Sequence, residues 1–260
     1  MKLLGLRLCE HDSNISYFDG KKLHYFKSER HYQVKHHGYN DLVSWRDDVF
    51  NLFGITPDEI DDIAIVIDPW HHKLPVDNEE FFPAIDYDHF PAVSCPVSRI
   101  NHHYAHALSC WPVNNETPDL EVVIDGYGDM NESWTVFKNN KVFKKGLVKE
   151  HGSLGMEMGR AASFLNIECN DPTEDLDLAG KLMGLQAYGN YIEEFAKVLP
   201  SSILNTREIF DIQRWFKFLN SELIGSLRAL DWIRTVHDHM GDVLVKFFEE
   251  VTDYNYDSII

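Results

Sequence analysis

Residues 3–26 read Leu3-Leu4-Gly5-Leu6-Arg7-Leu8-Cys9-Glu10-His11-Asp12-Ser13-Asn14-Ile15-Ser16-Tyr17-Phe18-Asp19-Gly20-Lys21-Lys22-Leu23-His24-Tyr25-Phe26. Leu3–Cys9 is a short apolar run and reads as a buried strand. Asn14–Phe18 and Leu23–Phe26 read as two more, with Asp19-Gly20 as the turn between them. Three strands joined by tight turns make an antiparallel opening. The spacing of Leu42, Trp45, Val49 and Leu52/Phe53 then predicts a helix over Asp41–Phe53. Thr56-Pro57-Asp58-Glu59 reads as a capping box with proline at the first helical position, and Ile63–Ile67 as a further buried strand.

The same order recurs from residue 120. Leu120–Asp125, Ser133–Lys138 and Lys141–Val148 read as strands, with Asn139-Asn140 as a hairpin turn. Beyond residue 150 the chain reads as mostly helical, most clearly over Asp231–Val251, where Trp232, Val236, Met240, Val243, Phe247 and Val251 form one stripe. Two successive β-β-β-α units predict an α/β protein with mixed sheets, on an actin/Hsp70-like two-lobe fold with RNase H-like lobes. The turn-rich Asn114–Pro118 divides a first lobe, 1–117, from a second, 118–260. The second unit shows no closing strand before Ser258-Ile259-Ile260, so that lobe reads as incomplete at its C-terminal end. Residues 68–97, with Pro69, Pro75, Pro83, Pro91 and Pro96 among aromatics and acids, read as an irregular excursion.

The chain has 260 residues, and 44% hydrophobic content is enough for a packed core. Lys+Arg number 24 against 42 Asp+Glu, a net charge of −18. That balance argues against a nucleic-acid surface and favours small-molecule or protein partners. The 4 cysteines form no C-x-x-C pair, which fits a reducing cytosol. Met1–Leu6 is polar too soon for a signal peptide, and no apolar run reaches the roughly 18 residues of a membrane span. The expectation is a soluble cytoplasmic protein that does not engage membranes.

Chemistry concentrates in Asn101-His102-His103-Tyr104-Ala105-His106 and Asp125-Gly126-Tyr127-Gly128. On a helix, His102 and His106 share a face with their Cβ atoms about 6 Å apart. That geometry lets two imidazoles hold one metal ion. Asp125, at the end of a hydrophobic strand, is the candidate third ligand. Two imidazoles and one carboxylate with open positions suit iron or zinc, and such an ion polarises a carbonyl or phosphate oxygen. Gly126 and Gly128 are positions where backbone amides can approach a phosphate closely.

These motifs occur in a fixed order. His11-Asp12-Ser13 follows the first strand, then come Ser28-Glu29-Arg30 with Lys35-His36 and the histidine run. Asp125-Gly-x-Gly, Ser153-Leu154-Gly155, and Gly180-Lys181-Leu182-Met183-Gly184-Leu185-Gln186-Ala187-Tyr188-Gly189 complete the series. In that combination, over about residues 3–190, the chain resembles the NodU/CmcH O-carbamoyltransferases, which include nodulation-factor and antibiotic carbamoyltransferases. The resemblance implies an N-terminal domain similar to the tRNA threonylcarbamoyl-transferases, on the actin-like fold, ahead of a YrdC-like domain. The YrdC-like domain makes carbamoyl-adenylate from ATP and carbamoyl phosphate. The carbamoyl group then passes to a substrate hydroxyl beside a metal, usually described as iron; Fe(II) is the implied ion and zinc the alternative.

Carried onto this chain, the resemblance makes His102, His106 and Asp125 the metal ligands. A further family aspartate and a glycine-rich nucleotide loop lie in the second half of the family's domain and have no counterpart here, nor has the YrdC-like domain. Many members carry an acid before the Gly-Lys pair, where this chain has Ala179. The implied partners are a small-molecule hydroxyl acceptor and the missing C-terminal half or a separately encoded YrdC-like protein; a homodimer is a further arrangement. Two other functions stay open: a tRNA threonylcarbamoyladenosine-type transferase, and a non-catalytic metal-binding fragment that pairs with another subunit through an exposed sheet edge.

The remaining positions each carry two readings. His11 is a general base for the acceptor hydroxyl, its pKa being near working pH, or it belongs with Asp12 to a turn held by an Asx hydrogen bond. Arg30, Lys35 and His36 bind an anionic donor or form a solvated charged face. His103 points off the metal face, towards substrate or into a structural role. Gly180-Lys181 places a point charge on a phosphate or carbamoyl oxygen, or starts a helix with an exposed lysine.

Overall fold

The computed structural model describes residues 1–8, 11–68, 84–86, 90, 93–114, 118–163, 176–199, 201 and 228–252. The chain divides into two compact units, Met1–Ser109 and Cys110–Ile260.

In the first unit, β1 (Leu3–Arg7), β2 (Asn14–Phe18) and β3 (Leu23–Lys27) are followed by α1 (Ser28–Tyr32), α2 (Trp45–Phe53), β4 (Asp62–Val66), β5 (Ala84–Asp86) and β6 (Val97–Ile100). The sheet order is β3-β2-β1-β4-β6-β5. β2 pairs antiparallel with β1, from Leu3↔Phe18 to Arg7↔Asn14, and β3 antiparallel with β2. β1 then pairs in parallel with β4, and β4 with β6. Three antiparallel strands running on into parallel ones form an RNase H-like arrangement. The hairpin closes where it does because Asp19 Oδ1 accepts the Lys21 and Lys22 amides at 2.8 and 2.7 Å. Alternate residues face the core: Leu4 and Leu6 from β1, Ile15 and Tyr17 from β2, Ile63 and Ile65 from β4, packed with Trp45 and Val49 of α2.

Several boundaries differ from the sequence reading. The helix predicted from Asp41 begins at Trp45, because Asp41 Oδ1 takes the amides of Val43 and Ser44 at 2.7 Å each and holds the chain in a turn. The Thr56–Glu59 box caps only a 3-10 turn at Pro57–Glu59, the Glu59 carboxylate accepting the Thr56 N–H at 2.8 Å. The excursion over 68–97 contains β5, and it ends as β6 begins; most of its remaining residues lie outside the described set. β6 escaped notice because it is short and carries the buried Arg99, which breaks its apolar pattern.

α3 (His102–Asn114) leads the chain into the second unit. There β7 (Leu120–Ile124), β8 (Glu132–Lys138) and β9 (Lys141–Leu147) form an antiparallel sheet in the order β7-β8-β9. Asn139 and Asn140 take φ of 50° and 60°, the left-handed pair that a two-residue hairpin requires. α4 (Val148–His151), α5 (Leu154–Ser163), α6 (Leu176–Leu185), α7 (Glu193–Ala196) and α8 (Arg228–Val251) follow. The predicted stripe of α8 is buried along its length, from Trp232 to Val251. It packs with Leu120, Trp134 and Val136 of the sheet and Leu178 and Leu182 of α6. Trp134 meets Phe247 edge to face at 5.2 Å between ring centroids. Among the described residues no helix is long and apolar enough to cross a membrane.

Candidate active-site residues

The tip between β1 and β2 is anchored by two fully buried serines, Ser13 and Ser28. Ser28 Oγ donates to the carbonyls of Ser13 and His37 at 2.8 and 3.0 Å. The amides of Asp12 and Ser13 reach the carbonyls of His36 and His37 at 3.3 and 2.9 Å. These bonds join the β1–β2 loop, the start of α1 and the segment after it into one framework. Asp12 and His36 both hold left-handed backbones, with φ of 53° and 56°.

On that framework, Asp12 Oδ2 lies 2.9 Å from His11 Nδ1 and 3.0 Å from His36 Nδ1. Lys27 Nζ sits 3.8 Å from Asp12 and 3.6 Å from Glu29. Burial acts to raise the Asp12 carboxyl, but hydrogen bonds from both imidazoles, with Glu29 adding to them, hold it at about 2. His11 is therefore positioned through Nδ1 by a carboxylate, as a base presenting Nε2 requires. Arg30 is 80% exposed, its Nε 3.9 Å from Glu29, and Lys35 is exposed. His36 is thus packed among carboxylates, while Arg30 and Lys35 reach into solvent. Sequence reasoning quoted Glu29 inside a motif but gave it no role. Its signal was the Ser-Glu-Arg turn directly after a strand, with the serine buried.

α3 starts with Asn101 as its cap. The Asn101 side-chain oxygen accepts the Tyr104 N–H at 3.0 Å, and its carbonyl accepts the Ala105 N–H at 2.9 Å. The cap fixes the helix phase and stacks His106 one turn above His102. Their rings meet edge to face at 4.7 Å between centroids, with the two Nε2 atoms 3.1 Å apart. Two ligands on one ion with bonds of about 2.1 Å stand about 3.0–3.4 Å apart in octahedral or tetrahedral geometry, so the pair has ligand spacing. His103, on another face of the helix, is fully buried.

In the second unit, Asp125 follows β7 directly. Its Oδ1 accepts the Gly126 amide at 2.5 Å, and the Gly128 amide donates to the Glu132 carbonyl at 2.7 Å. Both glycine amides are thus engaged inside the turn. Ser153 Oγ donates to the carbonyls of Asp125 and Gly126 at 3.2 and 2.6 Å and accepts the Met156 amide at 3.3 Å. A Cβ on Gly155 would lie 2.7 Å from Gly126 Cα. The turn is therefore fastened to the first residues of α5. Gly180 and Lys181 lie in the middle of α6, where a backbone amide belongs to the helix ladder; Lys181 is half-buried.

No family model matches the chain. Similar solved structures include YeaZ from Pseudomonas aeruginosa, at 12% identity and a TM-score of 0.31, covering 56% of this chain and 64% of that one. They also include the ROK hexokinase of Thermus thermophilus, at 14% identity and a TM-score of 0.35, covering 91% and 98%. A third is a Ppx/GppA phosphatase of Aquifex aeolicus, at 10% identity and a TM-score of 0.37, covering 96% and 93%. The chain spans less than two thirds of the length of the YeaZ chains it matches. The lobe architecture itself rests on strand order and register.

Proposed function

We propose that this chain carries out the transfer half of an O-carbamoylation. In this reading a carbamoyl group passes from carbamoyl-adenylate, made from ATP and carbamoyl phosphate by a YrdC-like protein or domain, to the hydroxyl of a small molecule. The single observation that carries the reading is the His102–His106 pair, with ring nitrogens 3.1 Å apart on a capped helix. It is the feature that the order of motifs and the chemistry share.

His102 and His106 would hold the metal ion, iron or zinc, and the resemblance implies Asp125 as its third ligand. When bound, the ion supplies Lewis-acid polarisation of the carbamoyl carbonyl. His11 takes the proton of the attacking hydroxyl at Nε2, while Asp12 fixes its ring through Nδ1. Lys181 supplies positive charge to the leaving phosphate. The −18 net charge suits a neutral or basic small acceptor better than a nucleic acid.

The test supplies purified chain together with a separate polypeptide carrying the second half of the family's transfer domain and a YrdC-like domain, ATP, carbamoyl phosphate and a panel of hydroxyl compounds, and follows acceptor-dependent AMP release. Turnover is expected with the wild type, and a fall of at least about 100-fold in His102→Ala and His106→Ala. Acceptor-dependent release that is absent with every compound, or unchanged in the histidine variants, would overturn the reading.

A further inference from the structure

The geometry points to a second cation site in the first unit, built from Asp12, Glu29 and His36. Each offers one ligand atom, and the three atoms lie within 4.8 Å of one another. The His36 Nδ1–Asp12 Oδ2 separation is 3.0 Å, close to the spacing of about 3.0 Å between neighbouring ligands on an octahedral ion with bonds near 2.1 Å. The Glu29 Oε2 atom is 3.4 Å from the His36 amide, which turns that carboxylate towards the same space. One imidazole and two carboxylates form a set for a divalent 3d cation, with manganese, iron or zinc all suited.

Three features argue that the cluster is arranged for a cation. Two carboxylates are held together on a framework that the buried Ser13 and Ser28 fix. Like charges brought this close are stabilised by a positive partner. Lys27 stands 3.8 and 3.6 Å from the two carboxylates and Arg30 3.9 Å from Glu29, all beyond hydrogen-bond contact. At those distances neither cation takes the place of a direct ligand to the two carboxylates. His11, 2.9 Å from the ligating oxygen of Asp12, orients that carboxylate as groups behind metal ligands do.

The inference concerns binding and does not depend on carbamoyl transfer. The test removes the other candidate metal pair with His102→Ala/His106→Ala in the full chain and titrates Co(II), then Zn(II) in competition, by visible absorbance and equilibrium dialysis. About one equivalent of Co(II) is expected to remain. Adding Glu29→Gln or His36→Ala should weaken it at least about tenfold, with unchanged circular dichroism. Lys27→Met, which removes the competing cation, should tighten binding several-fold. In case Glu29→Gln or His36→Ala perturbs the fold, imidazole NMR of the His102→Ala/His106→Ala chain gives a second readout, with Co(II) shifting the His36 ring resonances. The inference is overturned by a double variant that binds no metal, by affinity indifferent to Glu29 and His36, by looser binding in Lys27→Met, or by unshifted His36 resonances.

Discussion

At the scale of single residues, what can be read in a sequence depends on whether partners are neighbours along the chain. His102 and His106 are one helical turn apart, so their shared face follows from spacing alone. Asp12, Glu29 and His36 come from three segments, and only the serine-anchored framework brings them together. Asp19 is a legible case with a measurable consequence. The Lys22 amide, the His24 ring and the Lys21 amide hold its carboxyl at about 2, against 3.8 ordinarily. A depressed acid adds stability above its unfolded pKa and loses it as pH falls through the folded value. The wild-type melting temperature should therefore fall more steeply between about pH 3.8 and about pH 2 than that of Asp19→Asn. Parallel slopes in the two proteins would contradict this.

At the scale of elements, helices and hairpins with side-chain signals were read correctly in kind, and their ends were not. The Asn139-Asn140 hairpin was legible because its residue types tolerate left-handed backbone. The start of α2 was not, because a carboxylate captured two amides that periodicity assigns to the helix. β7 offers a test of a buried acid. Glu121 is 2% exposed, and burial raises its carboxyl pKa, while the hydrogen bond donated by the Trp111 indole acts in the opposite direction. A raised acid binds more protons folded than unfolded, so its contribution is favourable at low pH and is lost as pH rises through its unfolded pKa towards the folded one. Glu121→Gln keeps an acceptor for Trp111 and should melt higher than wild type at neutral pH, with the difference vanishing in acid. Equal melting temperatures at both pH values would count against the assignment. In α5, Gly155→Ala should cost about 1–3 kcal/mol in chemical denaturation, since its methyl group meets backbone 2.7 Å away. Gly126→Ala should cost less, its methyl group lying 4.0 Å from Gly155.

At the scale of the whole molecule, the repeated β-β-β opening was enough to predict RNase H-like topology, because strand order follows from connection length. The strands added beyond β4 were harder to foresee. β6 holds only four residues, and β5 lies in a segment rich in proline. Two separate buried clusters, one in each unit, make a prediction at this scale. Trp45→Ala and Trp232→Ala each empty a fully buried site and should cost about 3–5 kcal/mol. Native-state hydrogen exchange should show the losses falling on different strands: β1 and β4 for Trp45, β7 and β8 for Trp232. A uniform loss across both units would show that they unfold as one.

The contact between Gly126 and Gly155 also bears on how this site would look across a set of related sequences. The crowding is one-sided: the space refuses a side chain at 155 and admits a methyl at 126. A column that never varies has no statistics to share with its neighbour. The join between turn and helix would therefore be silent in any correlated-mutation signal, and evolutionary couplings would leave undetected a contact that coordinates reveal at once.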